Sequence, residues 1–455
     1  MLKKFFNVEN IMKNELLIKK SIFLGLCFSF SLIYFNLQGF GNFKIFLTNF
    51  IILVFSSFFM VFGDKYNYSI NKFFYLYSYF FLGIAPILQY THNINFWTDE
   101  NILEIYYLRT NIILIISLIF YQILYFKFNK NESNKLENFL YKYFSLENKI
   151  IRKELLIILP IFVLIITLYR LDFNIITLFF KTKLRISLLA QRSQIENLIY
   201  NNFISVIPLL CLIVFKISKI KNKALEIYLI LILLLTNFPT VLSRYAVARI
   251  YIPIVIIYFN FMKKYFVLNF TTIFGLLYLF PLLNKFRYFK NLKELKFNID
   301  FSMFVEAHFD SYQNFLRVLK EELVTNGRQL IGVFLFWVPR GLWKNKPIGS
   351  GAFLAEKSGF KFSNISLCYF GEGYINFGYL GIFLFIIFIA YINARFDKFY
   401  WTIKEKNYFL VFYLIMLSME LFVLRGDLLS SFAYLVGSYF SCIFIYWCVF
   451  KTVRE

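Results

Sequence analysis

Residues 336–381 read FWVPRGLWKNKPIGSGAFLAEKSGFKFSNISLCYFGEGYINFGYLG, and the interpretation of the whole chain depends on them. Elsewhere, apolar segments of membrane-spanning length mostly alternate with short basic loops. The apolar beginning of this stretch, Ile331 to Val338, is about half of the roughly 20 residues that a spanning helix needs. Prolines and glycines then interrupt helices and allow tight turns. Irregular backbone at membrane depth persists only where protein or water satisfies its polar groups, so we expect the floor or wall of a polar cavity here.

The composition is that of a membrane protein. Hydrophobic residues make up 59% of the 455 residues and charged residues only 16%, against roughly 25% charged residues in soluble proteins. The net charge of +23 comes largely from lysines in loops between apolar segments, which is typical of cytoplasmic topology signals. We therefore predict an all-α polytopic protein of the cell inner (plasma) membrane, and nucleic acid is not an expected partner.

Apolar segments indicate about twelve transmembrane helices. They lie near 21–39, 44–63, 73–90, 106–126, 154–170, 203–217, 225–241, 247–262, 266–283, 374–393, 408–424 and 432–450. Lysine-rich loops such as 127–153 and 395–406 alternate with the lysine-free loop 91–105. This alternation predicts that both termini are cytoplasmic, and it is consistent only if residues 328–343 do not span.

The predicted organisation is a membrane domain with an inserted outer loop. Residues 1–283 hold helices one to nine and residues 374–455 hold helices ten to twelve. Residues 284–373 form a periplasmic or extracellular subdomain with short non-spanning helices. This subdomain and the outer loop 171–202 are both basic, against the usual charge bias. Binding of an anionic substrate explains these charges, and the alternative is that long loops translocate largely regardless of charge.

Candidate substrate-binding residues are cations near the outer face. Arg244 and Arg249 lie at the outer start of the eighth predicted span, where an arginine is costly unless it is paired or faces water. Arg340 and Lys346 present two cations on turn-rich backbone, and the planar guanidinium group suits phosphate oxygens. We expect these residues to bind a diphosphate, with snorkelling to the interface as the alternative.

Candidate bases come from the segment EAHFDSYQNFLRVLKEELVTNG in the outer loop. Its pattern predicts an amphipathic helix on which Glu306, Asp310, Gln313 and Arg317 form one polar stripe. Asp310 or His308 is a candidate to take a proton from a sugar hydroxyl. Arg317 is a candidate ligand of the glycan or diphosphate. The alternative is a solvated helix face.

Further candidates lie near the last predicted spans. Glu372, just before the tenth span, is a second candidate base. Glu420 and Arg425, in the outer third of the eleventh, are candidate ligands of the glycan or diphosphate, or a structural ion pair. No metal-ligand spacing or nucleotide-binding loop is visible, so no metal and no cofactor are predicted.

In these segments the sequence resembles the bacterial oligosaccharide repeat-unit polymerases (O-antigen polymerases, Wzy type). The resemblance rests on VPRGLWKNKP at 338–347, on GEGYINFGYLG at 371–381 opening a helix, on the SR within 242–249 and on the FD of 309–310. The number of helices and the late, large outer loop also agree with this family.

Arginine spacing matches the family in one loop and departs from it in another. Arg340 is followed after ten residues by Gly351, a pattern associated with outer loops of these polymerases. The earlier basic loop, with Arg185 and Arg192, has no matching glycine.

The resemblance implies an architecture like that of GT-C type glycosyltransferases, with the large outer loop between helices nine and ten. It also implies transfer of a glycan chain from undecaprenyl diphosphate to another lipid-linked repeat unit, with undecaprenyl diphosphate as the leaving group. The product is a surface polysaccharide such as O-antigen, capsule or exopolysaccharide. Expected partners are undecaprenyl-diphosphate-linked oligosaccharides, the lipid bilayer, and a chain-length regulator and flippase of the same pathway.

Two other functions remain as alternatives. An O-antigen ligase has a similar layout and an outer-loop histidine, which His308 could match. A lipid-linked oligosaccharide flippase is the non-enzymatic alternative. It is expected to have two comparable halves and charges at the membrane centre, rather than a large inserted outer loop.

Overall fold

The structure is a computed structural model that describes residues 16–27, 39, 41–98, 100–130, 135–279, 301–403 and 407–452. In chain order its helices are α1 (16–27), α2 (Phe43–Phe62), α3 (Ile70–Thr91), α4 (Glu104–Lys130), α5 (Lys135–Tyr143), α6 (Lys153–Arg170), α7 (Ile176–Phe179), α8 (Lys183–Gln191), α9 (Gln194–Ile217), α10 (Lys223–Thr236), α11 (Arg244–Tyr258), α12 (Val267–Tyr278), α13 (Ser311–Lys320), α14 (Arg328–Phe334), α15 (Ser350–Lys357), α16 (Tyr369–Thr402), α17 (Phe409–Arg425) and α18 (Leu428–Val449). The prediction of an all-α membrane protein is confirmed.

Six of the helices in the described ranges are long and apolar enough to cross a membrane: α2, α3, α4, α9, α16 and α18. Each of the other predicted spans overlaps a shorter or more charged helix. For example, α17 has 17 residues and α10 has 14, fewer than the roughly 20 that a spanning helix needs. The count of twelve spans therefore stays a prediction. Residues 28–38 of the first predicted span and residues 284–300 of the predicted outer subdomain lie outside the described residues.

A two-stranded ribbon joins distant parts of the chain. Strand β1 (Lys149–Ile151) pairs antiparallel with β2 (Phe450–Thr452), with Lys149 opposite Thr452. The end of α18 therefore lies beside the start of α6 and the loop before it. We call this end of the helices the ribbon side.

Buried charged groups near the ribbon side have either an opposite charge or hydrogen-bond donors as partners. Lys72, fully buried, lies 2.6 Å from the carboxylate of Asp64. Asp397 is also buried, and it accepts hydrogen bonds from the amides of Ile70 at 2.8 Å and Asn71 at 3.1 Å, at the start of α3. Such charges are costly in a membrane unless they are paired, and here they fix the start of α3 against α16.

The segment 301–311 enters between the membrane helices. The ring of Phe309 stacks on Phe81 with centroids 4.6 Å apart, and the Ser311 hydroxyl lies 3.3 Å from that of Tyr77. Tyr77 is about 20 Å from the far end of α3 at a rise of 1.5 Å per residue. The segment thus occupies membrane depth instead of only covering the helix ends.

Helix α16 folds back on itself near its start. Phe377 (φ −143°, ψ 24°) and Gly378 (φ 62°, ψ −147°) are non-helical, and the left-handed φ of Gly378 favours glycine. A Cβ atom on Gly373 would lie only 2.8 Å from the carbonyl oxygen of Gly381. Residues 369–376 therefore pack antiparallel against the beginning of 379–402, and the tenth predicted span contains a reversal that hydropathy does not reveal. Helix α14, with 7 residues, is too short to cross a bilayer.

Candidate substrate site

A carboxylate and an arginine meet where segment 301–311 reaches the end of α17. Asp310, 1% exposed, lies 3.3 Å from the guanidinium group of Arg425. Asn314 donates to the same carboxylate at 3.0 Å, and Ser366 donates through both its amide and its hydroxyl. Arg425 also donates from Nε to the carbonyl of His308 at 3.0 Å. This network orients Arg425 while leaving its side chain 31% exposed.

The environment of Asp310 alters its acidity. Burial raises the pKa of Asp310, and this effect outweighs the opposing influence of Arg425 and of the hydrogen bonds from Ser366 and Asn314. A raised pKa makes a carboxylate a stronger base. Its oxygens already accept several hydrogen bonds, however, so Asp310 also has a clear positioning role toward Arg425.

Two further carboxylates lie close together beside this network. Glu372 accepts hydrogen bonds from the Ser350 hydroxyl at 2.6 Å and the Leu428 amide at 2.9 Å. Asp427 caps α18 by accepting from the Leu429 amide at 2.8 Å, and it also accepts from Gly351 at 3.2 Å. Burial raises the pKa of Asp427. The pair joins the starts of α15, α16 and α18, so Glu372 lies close to the last turn of α17 but already has two donors.

His308 is the most accessible of the three candidate bases. Its side chain is 45% exposed, and Nε2 lies 3.9 Å from the carboxylate of Glu306. Because its backbone carbonyl binds Arg425, its position is coupled to the Asp310 network.

A cavity of about 240 Å³ gathers cations from three helices and one loop. The basic residues that line it are Arg170, Lys181, Arg185 and Arg249. None of the described residues lining it is acidic. Helix α6 runs from the ribbon to Arg170, so the cavity lies at the end of the molecule opposite the ribbon side. We call it the arginine cavity.

Arg249 is held in this cavity by neutral groups. It is 2% exposed, and its terminal nitrogens donate to the Ser205 hydroxyl at 3.0 Å, the Asn201 carbonyl at 3.2 Å and the Ser438 hydroxyl at 3.3 Å. Its Nε has no hydrogen-bond partner within the part of the chain that the structure describes. A buried guanidinium group without a carboxylate is costly, so an anion in the cavity would complete its environment.

Two arginines from the basic outer loop region accompany it. Arg170, 4% exposed, donates to the side chain of Asn197 at 2.6 Å and to the carbonyl of Glu196 at 3.1 Å. Arg185 donates to the carbonyl of Thr177, and burial lowers the pKa of Arg185. These two residues are also fixed by neutral acceptors, and no described residue that lines the cavity carries a negative charge.

An aromatic wall connects the arginine cavity with Arg425. Tyr245, which lines the cavity, stacks on Phe422 with centroids 4.1 Å apart. Tyr434, another lining residue, contacts the edge of Tyr245 at 4.8 Å. Phe422 lies one turn before Arg425 on α17, so the two cationic sites face the same end of the molecule.

Comparisons with known proteins give no relative of this chain. No family model, no curated protein and no solved structure matches it.

The other predicted cations lie elsewhere or are engaged locally. Arg244 starts α11 next to the arginine cavity but is not among its lining residues. Arg340 donates to the carbonyl of Lys346 at 2.8 Å, and Lys346 donates to those of Phe336 at 2.6 Å and Val338 at 2.9 Å. Arg340 and Lys346 thus stabilise their own turn. Their side-chain donors bind backbone carbonyl groups instead of pointing together into an open cavity.

Of the predicted polar stripe, Asp310, Gln313 and Arg317 are buried, whereas Glu306 is exposed and lies before α13. Gln313 and Arg317 are 0% and 3% exposed, and the guanidinium group of Arg317 lies over the ring of Phe360 at 5.1 Å. Glu420 of α17 accepts a hydrogen bond from Asn393 of α16 at 2.8 Å. Arg425 pairs with Asp310, so the predicted ion pair between Glu420 and Arg425 does not form.

Sequence reasoning missed three residues of these sites: Arg170, Arg185 as a cavity residue, and Asp427. Arg170 ends an apolar segment, where an arginine usually serves as an interfacial anchor. Asp427 follows a glycine and precedes the apolar α18, which is the signal of a helix cap. The basic outer loop 171–202 and the predicted cation Arg249 are the features of the sequence that indicate the arginine cavity.

Proposed function

We propose that the protein polymerises undecaprenyl-diphosphate-linked oligosaccharide repeat units into a surface polysaccharide on the outer face of the plasma membrane. The observation that carries this proposal is the arginine cavity, with Arg170, Arg185 and Arg249 held by neutral acceptors. The resemblance at 338–347 and 371–381 supplies the class of substrate.

In this proposal the arginine cavity holds the diphosphate of the donor. Guanidinium groups match phosphate oxygens in a bidentate geometry. Negative charge accumulates on the diphosphate as the sugar–phosphate bond breaks, and fixed cations in a site shielded from water stabilise it. Arg249 has the least exposure and an unused Nε, so we assign it the largest share of this stabilisation.

The acceptor repeat unit is proposed to approach Arg425. The hydroxyl that attacks the donor sugar must lose a proton to a base within hydrogen-bond reach. Asp310 is the first candidate because it contacts Arg425 and burial raises its pKa. Glu372 and His308 follow as second and third candidates.

The proposal includes twelve spans, a GT-C-like arrangement and cytoplasmic termini. The ribbon supports this orientation, since it brings residues 450–452 beside the lysine-rich loop 127–153. Both segments are cytoplasmic under the positive-inside rule. The arginine cavity and Arg425 then lie toward the outer face.

A deletion strain complemented with variants tests the diphosphate site. Arg249→Gln removes both the positive charge and the planar guanidinium group, so it should abolish the polymer ladder and leave single lipid-linked repeats. Arg249→Lys keeps the charge but lacks the planar group, so it should form little polymer. Arg192→Gln is the matched control, since Arg192 pairs with Asp172 at 2.6 Å in the same loop region and does not line the cavity. A normal ladder from both Arg249 variants at normal protein level contradicts the proposal.

A ligase is the second candidate, favoured by the exposure of His308 beside Arg425. If the protein is a ligase, His308→Ala should stop transfer of finished chains to their final acceptor while polymer bound to undecaprenyl diphosphate still forms. If it is a polymerase, that variant should retain a ladder, and single repeats should accumulate with Asp310→Asn instead.

A further inference from the structure

A carboxyl group with few partners is buried inside the helix bundle. Glu420 lies on α17 and has 0% exposure. It is about 16 Å from the start of this helix and about 7 Å from Arg425, at a rise of 1.5 Å per residue. An ionised carboxylate at membrane depth is costly unless a cation or several hydrogen-bond donors face it. The partners of Glu420 therefore indicate which form the group adopts.

Asn393 of α16 supplies the hydrogen bond that Glu420 accepts. Its Nδ2 donates to Oε1 of Glu420 at 2.8 Å and to the hydroxyl of Tyr121 at 3.1 Å, so α4, α16 and α17 meet here. Oε2 of Glu420 is buried without a hydrogen-bond partner among the described residues, and so is Oδ1 of Asn393. Two acceptors that lack donors thus belong to two side chains that are already in contact.

The charges around Glu420 do not stabilise an ionised carboxylate. The ionisable side chains that interact electrostatically with it are Tyr121, Tyr369, Asp397 and Tyr439. None of these described residues is a cation. Arg425, five positions further along α17, pairs with Asp310 instead. An ionised Glu420 would therefore be a buried charge with one neutral donor.

A second buried carboxyl group, one turn after Asn393 on α16, shows the contrast. Asp397 accepts the two amide hydrogen bonds at the start of α3. It also accepts from the hydroxyls of Tyr413 at 2.8 Å and Tyr125 at 2.9 Å. Four donors match the roughly four lone-pair sites of an ionised carboxylate, whereas the single donor to Glu420 leaves one oxygen of its carboxyl group without a partner.

We propose that Glu420 is a protonated carboxylic acid at neutral pH and that it shares its proton with Asn393. A protonated carboxyl group has one O–H donor in addition to its acceptor capacity. In the proposed pair, Oε2–H donates to Oδ1 of Asn393 while Nδ2 donates to Oε1, so one proton satisfies both orphaned acceptors. The pair joins α16 to α17 without placing a charge in the membrane. This inference does not depend on the polymerase proposal.

Infrared difference spectroscopy of the purified full chain in lipid tests the protonation state directly. The spectrum of Glu420→Gln is subtracted from that of the parent at neutral pH. The parent should show the carbonyl band of a protonated acid, and this band should be lost in Glu420→Gln. The matched control is Glu356→Gln, which removes an exposed glutamate of α15 and should remove a carboxylate band instead.

The outcomes separate a proton site from its alternatives. Loss of a carboxylate band in Glu420→Gln overturns the proposal, because the group is then ionised. Failure of Glu420→Gln to fold overturns it as well, since a neutral amide can replace a protonated acid but not an ionised one. If sodium raises the unfolding temperature of the parent but not that of Glu420→Gln, a metal cation occupies the pair, which contradicts a shared proton.

Asn393→Ala tests the partner of the proton. The acid band of Glu420 should remain and should shift to a higher frequency, because the O–H group loses its acceptor. An unchanged frequency would show that Asn393 does not hold the proton and would overturn the proposed pair.

Discussion

At the scale of single residues, the decisive feature is the choice of partners for buried charges. Arg425 has a carboxylate partner in Asp310, whereas Arg249 and Arg170 are held by hydroxyl, carbonyl and amide oxygens. An arginine that is paired with a carboxylate orients its neighbours, whereas one that is held only by neutral groups can bind an anionic ligand. This contrast separates the proposed acceptor side of the site from the diphosphate side.

Asp310→Asn tests the role of the carboxylate. Loss of a general base typically lowers the rate about 10²–10⁴-fold, so we expect single lipid-linked repeats to accumulate and the polymer ladder to disappear on a gel. Protein level and thermal unfolding serve as controls, because the new amide faces the donors of Asn314 and Ser366. A full-length ladder from this variant would transfer the role of base to Glu372.

The pKa of Asp310 also predicts a pH dependence of stability. Its pKa is raised in the folded protein above the ordinary value of 3.8, so the neutral form favours folding. The contribution is fully present below pH 3.8 and is lost as pH rises through the raised folded pKa. Thermal unfolding of the parent should therefore decline over this range relative to Asp310→Asn. Parallel curves for the two proteins would show that Asp310 has no raised pKa.

At the scale of elements, the fold-back of α16 shapes the site. Residues 369–376 carry Glu372 to the start of α18, and Asn376 accepts the amide of Leu330 at 2.8 Å, at the first turn of α14. The contact between Gly373 and Gly381 allows the two segments to touch backbone to backbone.

Gly373→Ala tests this contact. The added methyl group must displace the backbone of Gly381, and overpacking of this kind costs about 1–3 kcal/mol. We expect a lower unfolding temperature and less polymer. Gly275→Ala in α12 is the matched control, because its added Cβ meets no atom of the described residues within 4 Å. Equal stability of Gly373→Ala and Gly275→Ala would contradict the fold-back.

The sequence predicted parts of these elements and not others. Apolar segments located the helices because burial in lipid requires about 20 apolar residues. Prolines and glycines in 336–381 indicated irregular backbone. Neither signal predicts which segments touch, so the antiparallel packing of 369–376, the contact of Asp427 with Gly351 and the entry of Arg170 into the arginine cavity depend on tertiary contacts.

At the scale of the whole molecule, polar groups separate toward two ends. The ribbon and the Asp64–Lys72 pair lie at one end. The arginine cavity and the Asp310–Arg425 pair lie toward the other. The two proposed substrate contacts therefore share one end of the molecule.

Cysteine labelling tests the orientation. Ser363→Cys, exposed in the loop before α16, should react with an impermeant reagent in intact cells. Lys221→Cys, exposed between α9 and α10, should react only after permeabilisation. The reverse pattern would invert the molecule and place the arginine cavity in the cytoplasm.

Polymerase activity is best tested with purified protein in vesicles that contain only undecaprenyl-diphosphate-linked repeat units. Products are separated by chain length, and released undecaprenyl diphosphate is measured in the same samples. We expect a ladder together with this release from the parent protein, and loss of both in Arg249→Gln. Movement of the lipid-linked unit between leaflets with no longer chains, from correctly folded protein, would contradict a polymerase and favour a flippase.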